Sequence, residues 1–160
     1  MPADANPSRP HIPRYGVRKT KKGLLPWNHV TSRMEQSRNY WIITAGADGQ
    51  PHAVPTWGVW LDDMLYFGGG PDVRWARNLR ANPSAAAHLE NGDEVVTIEG
   101  RVDFVQGGGE PVLVRVQDAY ETKYGMRHSP PFWVLKATLV LAWTDLGRDA
   151  TRWIFDSSSS

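Results

Sequence analysis

Two long stretches of the chain alternate between apolar and polar residues with a period of two. Small and apolar residues take every even position over residues 96–104, and apolar residues take every odd position over residues 133–143. This alternation predicts two long β-strands, with Leu139 and Leu141 on the same core face as Trp133. Long antiparallel strands broken by glycine are typical of a sheet that curls into a barrel, because closure needs tilt and bends.

Shorter runs rich in β-branched and aromatic residues predict five further strands. These runs are residues 40–44, 52–60, 65–67, 85–89 and 151–155. Turn-forming residues separate several of them, at residues 46–49, at Asp62-Asp63 and at Asn91-Gly92. The chain is therefore predicted to be mainly β, with an antiparallel sheet and a few short helices.

Three segments carry signals of a helix start. The predicted starts are Thr31 or Ser32 with Glu35 as a capping box, Asp72 as an N-cap, and Pro111 in a first turn. The predicted ends lie near Arg38, Arg80 and Gly125.

The two ends of the chain differ in composition from the middle. Residues 1–25 are rich in Pro, Arg and Lys and have no hydrophobic period, so we expect a basic arm before a barrel domain at residues 26–156. Such an arm is either solvated or wraps a partner subunit or an anionic ligand. Residues 157–160 are four serines and predict a flexible tail.

The composition narrows the functional classes. The chain has 160 residues, no cysteine, eight tryptophans and a formal net charge of +1. Without cysteine, redox chemistry needs a bound cofactor, and the near balance of charges gives no reason to expect nucleic acid as a partner. The tryptophans suit either a core and dimer interface or stacking walls for a flat ligand. No run is long enough for a membrane helix, and we expect a cytoplasmic protein with no membrane partner.

Motifs of several enzyme classes are missing. The chain contains no His-Glu-x-x-His, no Gly-x-Ser-x-Gly, no P-loop and no Gly-x-Gly-x-x-Gly. The five histidines stand singly without ligand spacing, so no metal site is expected. Asp62-Asp63 and Asp93-Glu94 lie in predicted turns, where acidic residues are common for structural reasons.

One segment combines the parts of an anion site. A predicted strand ends in three glycines, at 68–70, and leads into a helix that carries Arg74 and Arg77. Free N–H groups, a helix N-terminus and guanidinium groups together favour phosphate. The alternative is a glycine-rich turn before a surface helix with solvated arginines. The run Pro55-Thr56-Trp57-Gly58 interrupts strand packing and would let a planar ligand lie against the backbone.

These segments resemble the flavin-binding split-barrel proteins related to pyridoxamine 5′-phosphate oxidase, especially the actinobacterial branch of flavin- and deazaflavin-dependent reductases. The resemblance rests on NYWIITAGADGQPHAVPTWGVW, LYFGGGPDVRWARNLRANPSAAAHLE, GDEVVTIEGRV, DAYETKYG and ATRWIF, which together span most of residues 25–155. It implies a six- or seven-stranded antiparallel split β-barrel. It also implies a homodimer with the cofactor in a groove between the subunits.

The resemblance also implies a set of cofactor-binding residues. His52, Val54, Pro55, Thr56 and Trp57 lie on the strand that runs beside the isoalloxazine or deazaflavin ring, and Gly68 and Gly69 stand where the family often has a hydroxyl residue near the phosphate. Val73, Arg74 and Trp75 occupy a Ser-Arg-Lys-like phosphate-binding triplet, in which only the arginine matches, and Arg77 and Asn78 follow it. The partner subunit would add Lys123, Tyr124, Arg152 and Trp153 as lids over the ring or the tail.

The resemblance leads to an oxidoreductase that moves a hydride between bound coenzyme F420 or FMN and a small-molecule substrate. F420 is preferred, because the triplet departs from the FMN pattern and the basic arm could meet a long anionic tail. No catalytic residue stands out, and His52 and Tyr124 are the acid–base candidates. The alternatives are a non-catalytic protein that binds a flavin, a deazaflavin or haem, and a nucleic-acid-binding barrel, which the lack of interleaved aromatic and basic residues disfavours.

Overall fold

The structure, a computed structural model, describes residues 5–107 and 109–156, so the predicted tail at 157–160 lies outside the described residues. The strands are β1 (Tyr40–Ala45), β2 (Pro51–Thr56), β3 (Val59–Leu61), β4 (Met64–Gly68), β5 (Ser84–His88), β6 (Val95–Val105), β7 (Phe132–Trp143) and β8 (Thr151–Ile154). The helices are α1 (Trp27–Gln36), α2 (Arg74–Ala81), α3 (Pro111–Tyr124) and α4 (Leu146–Asp149).

The strands form one antiparallel sheet that curls back on itself. Its order is β2-β1-β5-β6-β7-β4-β3, and β8 pairs with β7 beside this path. β2 and β3 lie at opposite ends of the order, yet only Trp57 and Gly58 separate them in the chain. The ends of the sheet therefore meet at this bend and close a split barrel. The predicted mainly β fold is confirmed, but the predicted strand 52–60 is two strands, which makes eight in the described residues rather than six or seven.

A β-bulge in β7 decides which apolar residues enter the barrel. Thr138 has no partner in the register with β6, so β7 carries one extra residue at this point. Because side chains alternate between the two faces of a strand, the extra residue reverses the face of every residue after it. Val140 and Ala142 are therefore fully buried, whereas Leu139 and Leu141 are half-buried on the outer face. The prediction of one core face along the whole of β7 is wrong.

The helix starts follow packing more than local capping signals. α1 begins at Trp27, before the predicted capping box, because its buried stripe starts at that residue. α2 begins at Arg74 with Val73 as its N-cap, so Asp72 does not cap it. α3 starts with proline and ends at Gly125, whose φ of 71° is left-handed, as predicted. In the part of the chain that the structure describes, no helix combines the length and apolar character that a membrane crossing requires.

The outer surface of the barrel has a covered part and an open part. α3 packs over β3, β4 and β7 in a second apolar cluster: Val59, Tyr66, Leu113, Val116, Tyr120, Phe132 and Val134. On β1 and the second half of β7, by contrast, Trp41, Ile43, Leu139 and Leu141 are only half-buried. The sheet therefore keeps half-buried apolar side chains on its outer surface away from α3.

The described part of the arm packs against the barrel. Ala5 is buried, and Ser8 forms a backbone bridge to Arg152 in β8. The Arg9 guanidinium donates to the carbonyls of Thr20 at 2.7 Å and Ala150 at 2.8 Å. Residues 5–25 thus lie on the domain rather than free in solvent.

Candidate functional site

β2 is an edge strand whose backbone is open on one side. It lies at the end of the sheet order and, within the described ranges, pairs only with β1. Proline is typical of such edges because it lacks an N–H group, and the open strand carries Pro51 and Pro55. The side chains of His52, Val54 and Thr56 are half-buried. The unpaired backbone groups of β2 can therefore hydrogen-bond to the polar edge of a planar ligand.

Two contacts attach α2 and α3 to the sheet beside β2. On α2, the amide of Asn78 donates to Thr44 Oγ1 of β1 at 3.0 Å. On α3, the Tyr120 hydroxyl donates to the Trp57 carbonyl at 3.2 Å. Burial raises the pKa of Tyr120, and a backbone hydrogen bond from Gly68 acts in the opposite direction. Because Thr44 pairs with His52, the Asn78 contact attaches α2 to the sheet next to β2. We call the surface between β2 and the first turn of α2 the groove.

One guanidinium group at the start of α2 is available to an anion. Arg74 is exposed and has no hydrogen bond or ion pair with any residue that the structure describes. Arg77 donates instead to the Asp72 carbonyl at 2.8 Å and so braces the loop. Val73 is exposed and provides no side-chain cap, which leaves the first N–H groups of α2 without a cap partner. Of the two arginines in the predicted anion site, Arg74 alone is positioned to meet an anion.

Packing explains the two glycines that precede α2. A Cβ atom on Gly68 would lie 2.3 Å from Cε1 of His128, and a Cβ atom on Gly69 would lie 2.4 Å from Cζ2 of Trp75. Trp75 is buried, with its ring centroid 5.7 Å from that of Trp133. A hydroxyl-bearing side chain at either glycine would overpack the site. The structure thus places Trp75 in the core, next to the loop where the resemblance implies a phosphate-binding lysine.

An aromatic pair holds the bend between β2 and β3. The rings of Trp57 and Tyr124 are parallel within 5°, their centroids are 4.4 Å apart, and Trp57 remains 37% exposed. The Tyr124 hydroxyl lies 2.7 Å from the Arg38 carbonyl and 2.9 Å from the Gly58 carbonyl, and it accepts the Gly58 N–H at 3.0 Å. Burial raises the pKa of Tyr124. Its hydroxyl is therefore a structural link between three backbone groups.

Lys123 extends the same cluster to the core. Its ammonium group donates to the Tyr40 hydroxyl at 2.6 Å and to the Gly58 carbonyl at 3.1 Å. Burial, together with the charge of Arg38, lowers the pKa of Lys123 to about 8. The resemblance implies that Lys123 and Tyr124 come from the partner subunit, but here both contact the bend of their own chain.

The last two predicted residues lie away from the groove. Arg152 is half-buried, and its Nε atom donates to Ser8 Oγ at 3.3 Å. Trp153 is fully buried and packs edge-on against Trp27, with ring centroids 5.4 Å apart. Trp153 is therefore a core residue, and a side chain with no exposed surface does not lie over a groove as a lid.

Sequence reasoning missed four residues that build the site: Arg38, Tyr40, Tyr120 and His128. Tyr120 did carry a signal, since it precedes Tyr124 by four residues and shares its helix face. No local sequence pattern indicated Arg38 or Tyr40, because only the fold brings them to the bend. His128 stands alone in the sequence, yet its Nδ1 atom is buried beside the Gly68 loop with no hydrogen-bond partner in the described chain.

Comparisons with known proteins agree with this architecture. The sequence model of the family described as Pyridoxamine 5'-phosphate oxidase matches residues 28–144. A conserved hypothetical protein from Mycobacterium tuberculosis is 22% identical, with a TM-score of 0.64 over 79% of this chain and 89% of that chain. A heme binding protein from Mycobacterium smegmatis is 20% identical, with a TM-score of 0.60 over 79% and 58%. An FAD-binding protein from Mesorhizobium loti is 20% identical, with a TM-score of 0.58 over 82% and 96%. At these identities the likeness shows the fold alone, and no curated protein matches the sequence.

Proposed function

The chain belongs to the pyridoxamine 5′-phosphate oxidase family, and on that premise we propose that it is an oxidoreductase that transfers a hydride between bound coenzyme F420 or FMN and a small organic substrate. The observation that carries this proposal is that the open edge of β2 and unpaired Arg74 lie on neighbouring elements, because α2 is attached to β1 beside β2. One wall offers the open backbone edge of β2, which suits the polar edge of a flavin-type ring. The other wall offers Arg74 and the first turn of α2, which suit a phosphate.

The donors at the phosphate end favour F420 over FMN. The phosphate of FMN is a monoester with close to two negative charges at neutral pH. The phosphate of F420 is a diester with one charge, followed by an acidic tail. Arg74 is the one arginine at this end that the described residues leave unpaired, and buried Trp75 stands in place of a second cation. A single guanidinium group matches a monoanion better than a dianion.

The bound ring would supply the hydride chemistry, and the chain would hold and orient it. Backbone groups of β2 would fix the ring plane, and Arg74 would hold the phosphate. Because the Tyr124 hydroxyl is engaged by three backbone groups, half-buried His52 is the remaining acid–base candidate.

The proposal includes a homodimer. The half-buried residues Trp41, Ile43, Leu139 and Leu141 lie on the outer face of the sheet, which a second copy of the chain would cover. Sedimentation velocity tests this part directly. A dimer is expected, and a charge placed by Leu139→Glu should shift it to monomer, whereas Val114→Glu on the exposed side of α3 is the matched control.

Turnover by loaded protein tests the catalytic proposal. Protein saturated with reduced F420 or reduced FMN is mixed with enoate and quinone acceptors, and the absorbance of the oxidised cofactor is followed. We expect oxidation faster than that of the same concentration of free cofactor. Tight binding with no acceleration for any acceptor would replace the catalytic proposal with a non-catalytic one.

A non-catalytic haem-binding protein is the second candidate, and His128 is the observation that favours it. An imidazole can ligate haem iron, and His128 lies beside Gly68 at the groove with an unpartnered buried nitrogen within the described chain. Titration with haem separates this candidate from the first. A Soret shift that His128→Ala abolishes, without binding of F420 or FMN, would support it.

A further inference from the structure

Arg38 presents a guanidinium group beside an exposed aromatic ring. Its side chain is exposed and forms no hydrogen bond or ion pair within residues 5–107 and 109–156. The guanidinium carbon lies 5.3 Å from the ring centroid of Trp57 and 5.4 Å from that of Tyr124. Because these rings are parallel and 4.4 Å apart, the guanidinium group stands at the edge of the pair. Its N–H donors are therefore left for a ligand.

A second cation lies against the same pair of rings. The ammonium group of Lys123 is 5.3 Å from the ring centroid of Tyr124, and repulsion by Arg38 contributes to its lowered pKa. Glu35 of α1 lines a cavity of about 280 Å³ with Lys123 but forms no ion pair with it. Two like charges without a carboxylate partner raise the free energy of the folded state. Such an arrangement is typical of a binding site rather than of a structural cluster.

The site is held in place without a ligand. The Tyr124 hydroxyl binds the Arg38 carbonyl, and the Tyr120 hydroxyl binds the Trp57 carbonyl. The aromatic pair fixes the orientation of the Trp57 ring. A ligand would therefore meet an apolar ring whose orientation is already set, beside the fixed backbone that carries the guanidinium group, which reduces the entropy lost on binding.

We propose that Arg38 and Trp57 form a recognition site for planar carboxylates, in which the guanidinium group binds the carboxylate and the exposed indole packs against the aromatic or conjugated body of the ligand. Lys123 adds a second positive charge to this site. Trp57 directly follows β2, so the bound carboxylate lies at the end of the strand that we propose holds the cofactor ring. The assignment of planar carboxylates as the substrate class rests on the proposed function, whereas the binding itself does not.

Calorimetric titration of the cofactor-free protein at low ionic strength tests the site. Benzoate and cinnamate are the probes, and benzamide is the uncharged control. We expect benzoate and cinnamate to bind at least about tenfold more tightly than benzamide, the scale of a charge-assisted hydrogen bond. Arg38→Met should lower the benzoate affinity by at least about tenfold, because it removes the donors and keeps the apolar stem. Arg127→Met is the matched control, since it also removes one exposed positive charge, but Arg127 is paired with Asp118 and Glu121.

Each outcome of this titration tests the carboxylate site independently of the proposed oxidoreductase function. Equal affinity for benzoate and benzamide, absence of benzoate binding, or unchanged affinity in Arg38→Met would overturn the carboxylate site. If Arg127→Met loses as much benzoate affinity as Arg38→Met does, the effect comes from net charge. That result would also overturn the carboxylate site. Because no cofactor is present, failure of F420 and FMN to bind would refute the proposed function and leave this result intact.

Discussion

The two ends of the groove are built in different ways. At the bend, the backbone of Trp57 and Gly58 forms hydrogen bonds with three side chains of α3, and an aromatic pair fixes the Trp57 ring. At the anion end, Arg74 is exposed and meets no partner in the described part of the chain. The bend is therefore part of the folded scaffold, whereas Arg74 is held only by its place on α2. Residues at the bend should affect both stability and binding, and Arg74 should affect binding alone.

The largest expected effect comes from Trp75, which supports the anion end from within the core. Trp75→Ala should lower the free energy of unfolding by about 3–5 kcal/mol, because it removes a large buried ring and leaves a cavity. Urea denaturation measures this change. Val73→Ala, two residues earlier and exposed, is the control and should change stability by less than about 0.5 kcal/mol. A small loss in Trp75→Ala would mean that this end is not packed as described.

Arg74→Ala should separate binding from stability. We expect cofactor affinity to fall by about 1.5–3 kcal/mol, the scale of hydrogen bonds to a charged group, with no change in the free energy of unfolding. Arg77→Ala, which removes only the contact with the Asp72 carbonyl, should lower the cofactor affinity less. Fluorescence titration gives the affinities. Unchanged affinity in Arg74→Ala would remove Arg74 from the site.

Tyr124→Phe should affect both quantities, as a residue of the bend. Loss of the hydroxyl leaves backbone groups of Arg38 and Gly58 without their partner. The expected cost is about 1–2 kcal/mol of stability, at the low end for unsatisfied groups because the site is half-exposed. Cofactor binding should weaken as well. A variant with normal stability would contradict the assignment of the Tyr124 hydroxyl to the folded scaffold.

Because Lys123 is only half-buried and solvent screens its charge, the pH dependence that arises from it is the smallest expected effect. Its pKa is lowered to about 8 in the folded chain, whereas an unfolded lysine keeps its proton to about pH 10.4. Between about pH 8 and 10 the unfolded state therefore binds more protons, and the free energy of unfolding rises with pH. Above about pH 10 the raised pKa values of Tyr40, Tyr120 and Tyr124 reverse this trend, because their unfolded forms ionise first.

Denaturation of Lys123→Met over the same pH range isolates this contribution. The rise between pH 8 and 10 should disappear in the variant. Lys136→Met, at an exposed lysine paired with Asp103, should keep it. A wild-type stability that falls from pH 8 to 10 would contradict the described burial of Lys123.

The fold was more predictable from sequence than the site was. Alternation over β6 and β7 indicated the barrel because a period of two is a local property of the chain. The bulge at Thr138 has no comparable local signal, so the faces of Leu139 and Leu141 were predicted wrongly. At the bend, the Tyr124 hydroxyl contacts Gly58 and Arg38, which lie 66 and 86 positions away from it in the chain. Contacts of that range leave no periodic pattern, and for this reason Arg38 was missed.

The resemblance implied a set of site residues, and packing leaves some of them at the surface and buries others. Arg74 is exposed at the start of α2, and His52 to Thr56 lie on the open strand β2. Their contact with a cofactor stays a prediction. Trp75 and Trp153 are buried instead, because large aromatic side chains at these positions fill the barrel. A family motif indicates where a residue lies along the chain, whereas the side-chain volume decides whether it faces a ligand or the core.

The most direct test of the central claim is a titration of the cofactor-free protein with F420 and with FMN, followed by absorbance and fluorescence. We expect F420 to bind with a micromolar or lower Kd and more tightly than FMN. Arg74→Ala should weaken the binding of F420. Tighter binding of FMN than of F420 would contradict the inference that the single unpaired guanidinium group at the phosphate end favours F420. Failure of both to bind would contradict the claim that the groove between β2 and α2 is a cofactor site.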